Sequence, residues 1–348
     1  MFTSSMKRRD FLKRSALTGA AIGLGGSLPF VTLSRASAAG DEAELKIQID
    51  WLVSNSQVGD VVAVQKKFYE EQGLKVTIIP GGPNSQTAPS VLSGQALLGE
   101  FSGLGQAMVA SGNGLPVQVF ACGYQTSPFG FISMPKSPIR KPQDMIGKKI
   151  AIQPTGRFVM DLIFMKNKID PASVTVINAG SDVTPLLAGQ VDCVTMFITN
   201  ANALATLGPD YVTMTQHDAG VPSYANAYFS SKETIQKHHS IITRFLNATA
   251  KGWAWTHDNP EEAAGILAKA YPNLDAAQEK ATMNKIMQVA FNADTKADGW
   301  GTISTERVAE MIELYKAGKR FDKIVPKVED VVTFDFLKAT AAARPKFG

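Results

Sequence analysis

The sequence predicts an α/β protein built as two lobes, and three observations carry that expectation. Short β-branched or aliphatic runs alternate with helical stretches from Glu44 onward, the alternation restarts after Gly147, and beyond Ala227 the chain reads as helical. Strands alternating with helices give parallel sheets joined by crossover helices. A length of 348 residues accommodates two ordinary domains, and 45% hydrophobic with 19% charged residues is a composition able to fill their cores.

In the first lobe, residues 45–51 and 74–79 read as strands, with helices at 58–72 and 83–93. Val61, Val64 and Phe68 recur at spacings of three and four, whereas Lys66, Lys67, Glu70 and Glu71 face away and Gly73 supplies a stop. One face of that helix therefore packs on a sheet. A third strand ends at Glu100-Phe101, and residues 117–122 form another. The second lobe repeats the theme with strand 148–153, helix 157–168, strand 174–178, helix 183–189 and strand 191–197. Phe158, Leu162 and Met165 share one stripe of its first helix, which puts Arg157 at the N-terminal mouth. Residues 135–147, with three prolines and Gly147 among Lys and Arg, read as a solvated connection near the crossing between lobes. Helices are expected at 231–256, 260–270, 275–292 and 304–317, several opening on Ser, Asp or Pro, and packing back on the first lobe. The organisation is then a leader at 1–38, a first lobe at 42–125 plus 228–348, and a second lobe at 126–227.

The leader has its own composition. Lys7, Arg8, Arg9, Lys13 and Arg14 precede a weakly apolar run from Ala16 to Leu33, followed by Ala36-Ser37-Ala38, the pattern of a cleavable export signal. Arg8-Arg9-Asp10-Phe11-Leu12 is of the twin-arginine type, a route for proteins that fold before crossing. A membrane anchor would need about 20 continuous apolar residues, and Gly, Ser and Thr interrupt this run. Cleavage near Ala38 leaves 29 basic and 30 acidic residues, so the basic character belongs mostly to the leader. No Lys/Arg stripe interleaved with aromatics remains, which argues against a nucleic-acid partner. Cys122 and Cys193 lie far apart without metal-ligand spacing; two buried thiols are expected, with a single disulfide as the alternative. No metal or cofactor is expected.

Asp50-Trp51 followed by Gly59 and Ala63 resembles the opening of the thiamine-pyrimidine-precursor (NMT1/THI5-like) family, whose usual motif is Asp-Trp-x-Pro-Asn-x-x-His-x-Gly. Gly81-Gly82-Pro83, Gly94-Gln95-Ala96, Gly147-Lys148-Lys149, the run from Leu186 to Asp192 and Gly220-Val221-Pro222 resemble the same family and its sulfonate-binding relatives. The resemblance implies a type II periplasmic-binding-protein fold: two lobes, a hinge, and a ligand cleft between them. It also implies export to the periplasm and a partner ABC permease with its ATPase. This chain departs from the motif with Val53 at the Pro place, Ser54 at the Asn place and Gln57 at the His place. The family's synthase branch is similar in needing that His and a cysteine-rich cluster, so an exported enzyme is disfavoured.

Ligands of open α/β sheets bind at the carboxyl ends of strands. Asp50 there either accepts from a ligand or caps the following helix, and Trp51 either stacks on a heterocycle or lies buried under that helix. Gly81-Gly82-Pro83-Asn84 allows close backbone approach, with Asn84 at the mouth, and Glu100 with Phe101 ends the third strand. From the second lobe, Thr155 and Arg157 form a helix entrance able to hold an anion. The resemblance places Phe197 and Asn200, and also Asp218 and Tyr224, at the cleft, where Phe197 and Tyr224 are expected to sandwich a ring with Trp51. This inventory points to a planar polar heterocycle such as a thiamine-precursor pyrimidine, with an alkyl or aryl sulfonate as the alternative. None of His217, His238, His239 and His257 sits in a Ser/His/Asp or metal-spaced arrangement.

Overall fold

The computed structural model describes residues 43–348 apart from Pro83 and Ser181. The expected leader at residues 1–38 lies outside the described residues, as does Pro83 of the glycine-rich turn.

Among the described residues, ten strands form two sheets of five. The first holds β1 (Ala43–Ile49), β2 (Leu74–Ile79), β3 (Leu98–Gly103) and β4 (Val117–Tyr124). The second holds β5 (Phe129–Ser133), β6 (Lys149–Ile152), β7 (Thr175–Asn178), β8 (Cys193–Phe197) and β9 (Val212–Thr215), and β10 (Ala225–Ser231) returns to the first. The orders are β2-β1-β3-β10-β4 and β7-β6-β8-β5-β9. In each sheet three strands run parallel, β1 between β2 and β3 and β6 between β7 and β8. The fourth strand in each order, β10 or β5, is antiparallel to both its neighbours. Each of these comes directly from the other sheet. Leu45, Ile47 and Ile49 of β1 alternate inward, as a half-buried strand requires, whereas all seven residues of β10 are buried because it is central.

The helices are α1 (Val58–Gln65), α2 (Phe68–Glu71), α3 (Thr87–Leu92), α4 (Leu104–Gly112), α5 (Arg157–Lys166), α6 (Thr184–Leu187), α7 (Ala201–Thr206), α8 (Lys232–Lys237), α9 (His239–Asp258), α10 (Pro260–Ala270), α11 (Ala276–Ala290), α12 (Ala293–Asp298), α13 (Thr305–Ala317), α14 (Val328–Val331) and α15 (Asp335–Ala339). Two expected long helices are each broken once. Residues 58–72 split at Lys67, whose φ of 64° reverses the chain so that Phe68 and Tyr69 enter the core. Tyr69 Oη then pairs with Thr249 Oγ1 of α9 at 2.8 Å. Residues 231–256 split at His238. Residues 135–147 do not form a crossing. They link β5 to β6 within one sheet, with Ile139 and Met145 fully buried and the Ile139 N–H donating to Ser133 Oγ at 2.9 Å. The crossings are residues 125–128 and 216–224, and they touch where the Ser127 N–H donates to Ser223 O at 2.8 Å. Cys122 in β4 and Cys193 in β8 are buried and unpaired, on different sheets, so the disulfide alternative is not realised. No described helix is long and apolar enough to cross a membrane.

Helix α9 lies on α1 at close range through glycines. A Cβ on Gly59 would land on the Trp253 ring, and one on Gly252 would meet Gly59 O and Ala63. Trp253 stacks on Trp300 at 5.6 Å between ring centroids. Beside this contact Asp60 is buried and accepts from Tyr228 Oη at 2.8 Å. Burial pushes its carboxyl up from 3.8 to about 7, against the pull of that hydrogen bond.

Overpacking at the glycine contact predicts that Gly59→Ala loses about 1–3 kcal/mol in chemical denaturation. Gly265→Ala, in α10 where a Cβ meets open space, gains about 0.5–1 kcal/mol. Because folded Asp60 holds a proton that the unfolded chain has released, stability falls as pH rises from 3.8 to about 7. Melting curves across that range should flatten in Asp60→Asn; an unchanged slope would remove Asp60 as a source of the pH dependence.

Candidate functional site

Between the carboxyl ends of the two sheets lies a cavity of about 330 Å³. Its lining begins where β1 ends, running from Trp51 to Gln57, and continues at Glu100 and Ser102 of β3. Phe129, Thr155, Phe158 and Phe197 enclose it from the second sheet, while Ser127, Gln216 and Ser223 line it from the crossings.

Asp50 does not line the cavity. It is a brace, with Oδ1 accepting from Thr87 Oγ1 at 3.2 Å and Oδ2 from Ser102 Oγ at 2.9 Å and Gln106 Nε2 at 3.0 Å. Those three donors tie the end of β1 to β3, α3 and α4. Asp50 caps no helix either: Ser54 caps the turn leading into α1, its Oγ accepting from the Ser56 N–H at 3.3 Å. Gln57 completes that capping box by accepting from the Ser54 N–H through Oε1 at 3.2 Å. The other end of the same amide, Nε2, donates to Glu100 Oε1 at 2.7 Å.

Glu100 is 2% exposed, and its Oε2 has no partner. Burial raises its carboxyl well above the usual range, and the neighbouring Asp60 and Asp50 raise it further against the pull of Gln57. Side chains at i and i+2 of a strand share a face. Glu100 and Ser102 therefore both line the cavity, while Phe101 points the other way and stacks on Phe229 at 4.0 Å.

Of the expected site residues, the fold brings together Trp51, Gln57, Glu100, Thr155, Phe197 and Asn200. Trp51 and Phe197 are half-buried, with surface left to cover, and Asn200 also caps α7 through Oδ1. The others are placed elsewhere for identifiable reasons. Asn84 is exposed on its turn. Arg157 pairs with Asp161 at 3.3 Å on the outer surface. Asp218 closes its own turn, accepting from the Thr215 N–H and Oγ1. Tyr224 is fully buried, with Arg307 over its ring at 4.1 Å and its Oη accepting from the Ser304 N–H, so it cannot sandwich a ligand ring.

Residues without a sequence signal complete the site. Phe129 supplies the aromatic wall expected from Tyr224, and Phe158 and Tyr315 add to it. Asn55, at the family motif's unassigned position, donates from Nδ2 to Thr199 O at 2.6 Å and to Glu279 Oε2 at 2.7 Å. Asn202 of α7 donates to Glu279 Oε1 at 3.2 Å. This network joins α11 and the turn before α1 to the second sheet's α7. Among the described lining residues there is no Lys, Arg or His, and Glu100 is the one carboxylate. The histidines are elsewhere: His217, His238 and His239 are exposed, and His257 stacks on Phe347.

Residues 55–263 match the family described as NMT1/THI5 like. A Legionella pneumophila protein named 4-amino-5-hydroxymethyl-2-methylpyrimidine phosphate synthase is 24% identical over 239 residues, 67% of this chain and 75% of its own. A formylaminopyrimidine-binding protein of Halalkalibacterium halodurans is 23% identical over 241 residues, 66% of this chain and 72% of its own. Among solved structures, the alkanesulfonate-binding protein SsuA of Xanthomonas axonopodis pv. citri, bound to MOPS, superposes with a TM-score of 0.66 at 16% identity. That match covers 85% of this chain and 99% of SsuA. The fold is thus the type II periplasmic-binding-protein fold, and the chain belongs to the NMT1/THI5-like family.

Proposed function

We propose that this chain is the exported solute-binding component of an ABC importer, capturing an uncharged planar heterocycle of the thiamine-precursor pyrimidine class by closing its lobes. The observation that carries this reading is the cavity lining: aromatic side chains from both sheets, many amides and hydroxyls, and no cation. A ring held between Trp51 and Phe197 or Phe129 would exchange water for stacking, while amides read its edge. A micromolar dissociation constant corresponds to about 8 kcal/mol, within reach of one stacked ring and a few desolvated hydrogen bonds.

A sulfonate fits less well. It keeps its charge at any physiological pH, and burying that charge calls for a guanidinium or an ammonium. Arg157, the expected anion holder, is spent on Asp161 outside the cavity. The synthase reading, raised by the Legionella relative, has less support still. Gln57 stands where the family motif has His, and both ends of its amide are committed to Ser54 and Glu100.

Closure is supported by the hydrogen bonds that bridge the lobes away from the crossings, Asn55 to Thr199 and Asn202 to Glu279. Ligand contacts from both lobes exist together only in the closed form, so binding shifts the population toward it.

Calorimetry of the leader-free protein against aminopyrimidines, flavins, alkylsulfonates and aromatic acids should find micromolar binding among the pyrimidines. Sulfonate binding without pyrimidine binding would reverse the assignment, and turnover of any ligand would replace it with an enzyme. Trp51→Ala should weaken pyrimidine binding by roughly ten-fold or more with little change in melting temperature. Glu279→Ala removes the acceptor shared by Asn55 and Asn202. The ligand-free variant should scatter as a more open particle, with affinity lower by about three- to ten-fold, the equivalent of one hydrogen bond.

A further inference from the structure

Glu100 is the feature that capture of a ring does not by itself explain. A carboxyl at the floor of a cavity lined by aromatics and amides is expensive unless paired. Among the described residues no Lys, Arg or His pairs with it. Gln57 Nε2 reaches Oε1 from the turn before α1, and Asp60 of α1 and Asp50 at the end of β1 are the acids nearby. Tyr228 stands opposite it in β10, with Tyr69 of α2 and Tyr124 of β4 among the groups close enough to interact. Among the described residues none of the three acids forms an ion pair with a basic side chain. Three buried carboxyls in one locality without a cation cannot all be ionised at reasonable cost. Glu100 is the one of the three that lines the cavity, and the oxygen that Gln57 leaves free is buried without a partner.

We propose that Glu100 works as a neutral carboxylic acid whose Oε2–H donates a hydrogen bond to a bare ring nitrogen of the ligand. It is thereby the residue that selects heterocycles over anions and over ammonium groups. This rests on the heterocycle reading above and deepens it. A neutral acid offers a donor where every nearby carboxylate would offer only an acceptor. An anion meets no cation and three acids. An ammonium has no lone pair for the acid proton; an N-alkylated pyrimidinium keeps one only on its second nitrogen, a far weaker acceptor because of the ring's charge, so either cation gains fully from Glu100 only if the carboxyl ionises. A ring carbon in place of the nitrogen leaves the buried donor without a partner, the kind of mismatch that discriminates most strongly between isosteres. The cause of neutrality agrees with the geometry: burial first and the neighbouring Asp60 second hold the proton on Glu100.

The test uses the leader-free chain and three probes: 5-(hydroxymethyl)pyrimidine, its isostere benzyl alcohol, and the N-methyl-5-(hydroxymethyl)pyrimidinium cation, which adds a methyl group and a charge. Calorimetry runs from about pH 5 to about pH 9, the span in which buried carboxyls titrate. The proposal expects the pyrimidine to bind at least ten-fold more tightly than benzyl alcohol or the cation. Its affinity falls as pH rises, with proton uptake on binding at the alkaline end, because only the protonated acid donates. Glu100→Gln retains an amide donor and abolishes titration, so the affinity should become independent of pH; Glu100→Ala should lose ten-fold or more at pH 5. Should Glu100→Ala fail to fold, the Glu100→Gln pH profile carries the test alone. A pyrimidine affinity that rises with pH in the unmodified chain overturns the proposal, as do preference for the cation and equal binding of benzyl alcohol. In each case the heterocycle reading survives. Absence of binding by any pyrimidine at any pH ends that reading and this proposal with it.

Discussion

The amide of Gln57 has no freedom left, and much of the site follows from that. Its oxygen closes the capping box on Ser54 and its nitrogen holds Glu100 Oε1. Flipping it would set oxygen against oxygen at Glu100 and leave the Ser54 N–H unsatisfied, a loss of about 1–3 kcal/mol for each buried group. The choice of which Glu100 oxygen is paired and which is left without a partner is therefore made by the start of α1. That start is itself fixed one turn on, where Gly59 admits the Trp253 ring and Asp60 accepts from Tyr228. Helix packing, a cap and a buried acid are one construction here.

Two crossings between the sheets set what can move. β5 opens the continuous stretch of chain that forms the second sheet, and β10 returns the chain to the first, each antiparallel to both its neighbours. Relative motion of the sheets must then be absorbed by residues 125–128 and 216–224. Ser127, Gln216 and Ser223 of those segments also line the cavity, so the ligand would sit against the pivot. On the proposed closure, groups near that pivot would keep their geometry, whereas the Asn55, Thr199, Asn202 and Glu279 contacts would be made or lost together.

Most of the parallel framework was legible in the sequence because its signals are local. Residues 74–79 and 260–270 were bounded correctly by β-branched alternation and by Pro260 after the preceding helix. β5 and β10 were not anticipated: their strand formers, Phe129, Phe131, Ile132, Tyr228 and Phe229, are interrupted or preceded by Gly130, Ala225, Asn226 and Ala227, which strands disfavour. The two helix breaks at Lys67 and His238 carry no Pro or Gly to announce them. At the site, residues directly after strand ends, such as Trp51 and Thr155, were found because strand ends are readable. Tyr224 and Phe101 were misplaced because which face a side chain takes depends on register and on partners, here Ser304, Arg307 and Phe229. The Asn55 to Glu279 link spans 224 residues, and no local pattern encodes it.

A shared fold leaves the sign of the ligand open, since function resides in a few groups placed on it. SsuA, with the same architecture, is described as an alkanesulfonate-binding protein. In the present chain the cationic resources near the cleft point outward. Asp161 takes both Arg157 and Arg320, so a guanidinium that begins α5 beside the lining residues Thr155 and Gly156 is held at the surface. Inside, the acid is kept and no base accompanies it. A neutral Glu100 sets no opposite charge against an anion, so the anion's charge would be buried there without a cation to meet it. Conversion between ligand classes on this scaffold therefore requires a cation in the cleft, and release of Arg157 from Asp161 is one source of it.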